Sequence, residues 1–146
     1  MNLLDALAAC SGDWVGPSTL QDPHVGIAEE SPSTLAITPV QDGVRLDYTW
    51  AYRGDPQQGS IHFIAKDEVI VAPWTDTWHT GGKPMSCSGP LGDTISVRGS
   101  YPAPPGPDWG WRIDIVLHGE NVRVVMWNVW PTGKEEMAVE AVQARA

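Results

Sequence analysis

Asp76 stands between Trp74 and Trp78 in the run WTDTWH, with His79 directly after it, and no other stretch brings together side chains so well suited to chemistry. A carboxylate among indoles is expensive to bury in its charged form. Two readings follow. Either Asp76 is hydrogen-bonded to nearby backbone or indole N–H groups, which is the ordinary structural case, or a raised pKa equips it for proton transfer. His79 falls where a strand would reach a barrel mouth. There a capping or solvent-exposed histidine is the plain reading, and a ligand-contacting or haem-ligating one is the sharper alternative. Asp76 and His79 are therefore the candidate catalytic pair.

Other chemical signatures are missing. The four histidines, His24, His62, His79 and His118, do not pair at the i, i+2 or i, i+4 spacings that commonly build a zinc site. There is no Gly-x-Ser-x-Gly elbow, no dinucleotide fingerprint, and Gly81-Gly82-Lys83 lacks the upstream glycine of a phosphate loop. No metal and no cofactor are expected. Cys10 and Cys87 have no histidine partner in sequence and no metal-like spacing, so they read as two free thiols in a reducing compartment, with the cytoplasm as the default location.

Composition narrows the ligand. The chain has eight tryptophans and one phenylalanine, and every tryptophan except Trp14 lies at or after Trp50. An indole N–H wants a partner when buried, so a small domain this rich in tryptophan is expected to surround a cavity or groove. A net charge of −9, with only nine Lys and Arg scattered along the sequence, argues against a nucleic-acid backbone or an anionic membrane as partner. At 146 residues one domain, spanning 1–146, is expected, and it is long enough to fold without disulfides or metals.

The elements that must position these residues are mostly strands. Leu3, Leu4 and Leu7 share a helical face ahead of Gly12, which predicts a short N-terminal helix. Leu7-Ala8-Ala9-Cys10 looks like a lipoprotein cleavage box, but Met1 to Ala9 has no basic residue and carries Asp5, so the helix is preferred to a signal peptide. No apolar run approaches the 18 residues that a membrane span requires. Alternation predicts strands over Val44–Tyr52, Ile61–Ala65, Val69–Trp78, Thr94–Tyr101, Trp109–His118, Val122–Trp130 and about Met137–Arg145. GDPQQG after Arg53, the Gly/Pro/Ser-rich TGGKPMSCSGPLGD and PAPPGPD read as loops. The whole is an all-β, up-and-down antiparallel barrel or sandwich of roughly eight to nine strands.

Parity assigns faces. A tight turn at Gly119-Glu120 pairs His118 with Asn121, Ile113 with Met126 and Trp111 with Asn128. Trp111, Ile113, Ile115, Leu117, Val122, Val124, Met126, Asn128 and Trp130 then face inward. Arg112 and Trp127 meet outside as a cation–π pair. A turn at Lys66-Asp67 puts Ile61 and Phe63 with Ile70, Ala72, Trp74, Asp76 and Trp78, and leaves His62 and His79 on the opposite face unless a bulge or Pro73 shifts the register. On the last strand, with Met137, Val139, Ala141 and Arg145 inward, Glu140 points to solvent.

Three stretches carry a resemblance: Leu4 to Gly16 (LDALAACSGDWVG), Trp74 to His79 with Gly99-Ser100-Tyr101, and Pro107 to Arg145 with its PDWGWR, MWN, PTGKEE and AVEA elements. Together they are similar to a bacterial domain-of-unknown-function family of lipocalin-like (calycin) β-barrels. The resemblance implies a barrel with an internal cavity, closed by the tryptophan of a Gly-x-Trp element packing on a basic residue of the last strand. Gly12-Asp13-Trp14 and Arg145 would fill those roles, as structure rather than as a site. Relatives in the wider group bind lipids, retinoids, haem or aromatic molecules, and the family itself has no activity to carry over.

Three functions remain open from these residues. The leading one is a binding barrel for a small hydrophobic or aromatic molecule, with Trp50, Trp74, Trp78, Trp111, Met126 and Trp130 lining the cavity and Asp76 and Asn128 orienting the guest. The second is an enzyme, an isomerase, cyclase or hydrolase, with Asp76 or His79 moving the proton. The third is an interaction protein whose indoles are simply core. An exposed edge and the Trp127 face would also support a homodimer.

Overall fold

The computed structural model describes residues 2–22 and 26–146. One short helix, α1 (Leu3–Ala8), precedes ten strands: β1 (Gly12–Asp22), β2 (Ile27–Val40), β3 (Gly43–Tyr52), β4 (Asp55–Lys66), β5 (Val69–Asp76), β6 (Met85–Pro90), β7 (Ile95–Tyr101), β8 (Trp109–His118), β9 (Asn121–Val129) and β10 (Glu135–Arg145). Each strand pairs antiparallel with the next, and β10 pairs with β1, so the sheet closes into an up-and-down barrel. The architecture is the one expected; the strand count is higher than eight to nine.

The strands not expected are β1, β2 and β6, and β4 starts earlier than Ile61 because turn-like composition hides its beginning. GDPQQG is not a loop: Arg53 and Gly54 adopt positive φ in a tight turn, and the next residues pair along β3, with Tyr52 opposite Asp55 and Trp50 opposite Gln57. Met85–Pro90, within the Gly/Pro/Ser-rich stretch, is β6. A side chain at its Gly89 would collide with the Ser96 carbonyl of β7, so the glycine is what lets the two backbones approach.

The turn between β4 and β5 centres on Asp67-Glu68, one residue later than expected, and Lys66 pairs with Val69. That moves the pairing by two residues and leaves the side chains of β4 and of β5 as far as Asp76 on their expected faces. The β8–β9 register is the expected one, with His118 opposite Asn121, Ile113 opposite Met126 and Trp111 opposite Asn128. Outside, the Arg112 guanidinium lies 4.8 Å from the Trp127 ring, and Asp114 accepts from the Trp127 indole at 3.2 Å. On β10 a register shift between Met137 and Val139 puts Ala141 and Gln143 in the interior, while Glu140 pairs with Arg123 on the outer side.

The two barrel ends differ. At one, α1 acts as a plug: Asn2 and Asp5 form a capping box, Leu4 and Leu7 are buried, and the Leu3 N–H donates to the Gly92 carbonyl. The Trp14 indole donates to the Cys10 carbonyl at 2.9 Å, and Arg145, opposite Trp14 in the β1–β10 seam, lies 4.5 Å over its ring. Between the ends the core is aliphatic apart from Phe63, with Leu35, Leu46, Ile61, Ile70, Ile95, Ile113 and Ile115 also fully buried. The far end, where β5 stops and β6 starts, holds the aromatic residues. No helix among the described residues is long and apolar enough to cross a membrane.

Candidate functional site

Strand β5 carries Trp74 and Asp76 into the barrel and ends there, because the next turn draws its hydrogen bonds from Asp76 itself. The carboxylate Oδ1 accepts from the backbone N–H groups of Trp78 and His79, each at 2.8 Å. The Asp76 carbonyl accepts from the N–H of Thr80 and of Gly82, and the Thr80 hydroxyl bridges the Asp76 N–H and C=O at 2.9 Å each. An Asp side chain that captures the following amides in this way competes with a continued strand and stops it. Trp78 is therefore in a turn and not on the strand expected through it. His79, expected on the outer face, is carried back over the barrel end.

The other carboxylate oxygen is used as fully. Oδ2 accepts from the Tyr48 hydroxyl at 2.7 Å and the Trp50 indole at 3.1 Å, and the Trp74 indole donates to the Tyr48 oxygen at 2.9 Å. Tyr48, Gly59 and Asp76 lie side by side on β3, β4 and β5. With no side chain at Gly59, the Tyr48 ring can cross it to reach Asp76.

These bonds answer the first question raised by the sequence. Asp76 is 1% exposed. Burial alone would push its carboxyl up, but the adjacent His79 imidazole, the His79 backbone N–H and the Tyr48 hydroxyl outweigh burial and hold it below the usual carboxylate value. Tyr48 moves the other way: burial first, then the Asp76 charge, raises its phenol well above the ordinary value and keeps it a donor.

His79 sits in a box of indoles, its ring 4.8 Å from Trp78, 5.3 Å from Trp111, 5.5 Å from Trp50 and 5.9 Å from Trp74. Nδ1 is 3.2 Å from Asp76 Oδ1, but the approach is too oblique for a hydrogen bond, and both ring nitrogens are buried without a hydrogen-bond partner. Trp74 and Trp111 stack at 5.2 Å and 9°.

His79 separates two spaces. On its interior side is a residual cavity of about 20 Å³ bounded by Trp50, Asp76, Met126, Leu35, Ala141 and Gln143, which has room for roughly one water. On its outer side a cleft of about 660 Å³ opens at the barrel end, walled by Trp74, Trp78 and Trp111 with Lys83, Tyr101 and Asn128 around them. The residues expected to share one lining are thus divided. Trp74, Trp78, Trp111 and Asn128 face the cleft, and Trp50, Asp76 and Met126 face the interior. Trp130 lines neither: it follows the end of β9 and packs on Trp109 at 5.0 Å, with Lys134 at 4.8 Å from its ring. Asn128 Oδ1 accepts from the Tyr101 hydroxyl at 2.6 Å.

Tyr48, Thr80, Lys83 and Tyr101 belong to this site and were not singled out from the sequence. Tyr48 had a signal, since it shares parity with Leu46 and Trp50. Thr80 had one too, because Asp followed four residues later by Thr offers two side chains able to capture turn amides. Of the remaining histidines, His62 is on the outer face with Nε2 3.6 Å from Asp42, His118 is exposed beside the β8–β9 turn, and His24 lies outside the described residues. No group of three or more His, Cys, Asp or Glu that could hold a metal occurs among the described residues. Cys10 and Cys87 are free thiols.

No family model and no curated protein matches the chain. Among solved structures it is similar to the crystal structure of Rv2717c from M. tuberculosis, at 15% identity and a TM-score of 0.64, over 98% of this chain and 96% of that one. At that identity the likeness shows a shared closed barrel and nothing about the ligand.

Proposed function

We propose that this protein is a small-molecule binding barrel whose site is the aromatic cleft at its open end. The observation that carries the reading is the set of walls: three indoles around about 660 Å³, with His79 at the base, its Nδ1 against Asp76 and its Nε2 without a hydrogen-bond partner. The volume falls in the usual range for small-ligand sites, and mostly apolar walls with a few convergent polar atoms are their common composition. We read the barrel as calycin-like, on the support of the Trp14–Arg145 closure, and the two free thiols fit a cytoplasmic location.

The test is a titration of intrinsic fluorescence with a panel of flat aromatic and aliphatic compounds. Quenching by the aromatic members, lost in Trp111→Ala but kept in Trp109→Ala, is the expected result. A flat response to the whole panel ends the reading.

One arrangement favours a catalytic second reading. A histidine whose Nδ1 lies against an ionised carboxylate while Nε2 is unbonded is the geometry of an oriented general base. In this reading His79 moves the proton and Asp76 positions it. Asp76→Asn does not separate the two functions, because Asp76 also builds the turn. His79→Gln does: a binder retains measurable affinity, and an enzyme loses turnover.

A further inference from the structure

We infer that the occupant of the cleft is an aromatic anion, a flat ring system bearing a carboxylate or an equally acidic group. This rests on the binding reading above and specifies its ligand. The chain carries 18 acidic residues against nine basic ones, so an arbitrary patch of its surface is expected to hold carboxylates. The cleft lining has none; its formally charged side chain is Lys83, at the exposed rim, which makes no ion pair among the described residues.

The lining also holds hydroxyls, of which Tyr101 and Thr80 have given their protons to Asn128 and to the Asp76 carbonyl, and Asn128 remains a donor beside Lys83. Asn128 has its carbonyl oxygen occupied by Tyr101, which leaves the two amide N–H donors to face a guest. Trp74 and Trp111 stack on each other and, with Trp78, give the cleft an aromatic wall. A ring lying against that wall gains apolar contact, while an acidic substituent on it meets Lys83 and Asn128. A neutral hydrocarbon leaves those donors unpaired, and a cation meets Lys83 with no carboxylate in compensation. Because the protein's overall field is negative, the preference for an anion has to come from these local groups.

Calorimetric titration of the intact chain with 2-naphthoate, 2-naphthylmethanol and 2-naphthylmethylamine holds the ring constant and changes only the charge. The naphthoate is expected to bind at least about tenfold more tightly than either congener. Lys83→Met, at an exposed site, is expected to reduce that ratio to about twofold without changing the unfolding midpoint. Equal or tighter binding of the alcohol or the amine overturns the anion inference and leaves the binding reading standing. An undiminished ratio in Lys83→Met overturns the anion site as assigned. Failure of all three compounds to bind counts against the binding reading itself.

Discussion

Tyr48 crosses Gly59 to reach Asp76, and it can do so only because Gly59 has no side chain. A Cβ built there would run into the Tyr48 ring and hydroxyl. The phenol holds the network together, accepting from the Trp74 indole and donating to Asp76.

Gly59→Ala is therefore expected to displace Tyr48 and leave the Trp74 indole and Asp76 short of a partner. A loss of roughly 1–3 kcal/mol follows from overpacking, with unsatisfied polar groups adding to it. Urea unfolding measures it. A midpoint equal to wild type would mean that Tyr48 has another route to Asp76, and Gly92→Ala, where a Cβ meets open space, serves as the control.

Asp76 makes stability depend on pH with a definite sign. Its folded pKa is lowered, so its contribution is fully present above the unfolded value of about 3.9 and is lost as pH falls through the lower folded value. Asp76→Asn should be less stable than wild type at pH 7 by roughly 2–3 kcal/mol, the scale of a lost charged hydrogen bond. The gap between the two proteins should narrow as pH drops below about 4. Parallel denaturation curves from pH 7 to pH 3 would show that Asp76 is not ionised in the folded state.

The two thiols should behave differently. Burial pushes Cys87 up to about 11, and it is fully enclosed, whereas Cys10 is half-exposed. In native protein at pH 8 an aromatic disulfide reagent should modify Cys10 alone, with Cys87 reacting only as the barrel opens. Release of two equivalents in one fast phase would contradict this packing.

Much of the fold was legible where alternation and tight turns coincide. Gly119-Glu120 between two long alternating runs determined the β8–β9 register, including the outward Arg112–Trp127 pair. Strands β1, β2 and β6 were not legible; in β1 and β6, Gly16 and Gly89 sit where a neighbouring carbonyl passes close and so look like breakers. The site was legible in composition but not in arrangement. Alternation carried through Asp76 puts Trp78 inside and His79 outside, and it fails because a side chain, not the backbone ladder, takes over the amide hydrogen bonds at that residue. The indoles divide between cleft and interior for the same reason: the turn folds His79 between them.

In the order of strands around the barrel, every seam but one joins neighbours along the chain. The exception, β1 with β10, joins segments from opposite ends of the sequence, through Trp14 beside Arg145. A chain emerging from the ribosome can therefore zip each hairpin as it appears, yet it carries two bare edges until the final strand arrives. Aggregation of a polypeptide in which that seam is open would begin at those edges, which the pairing of β10 with β1 covers.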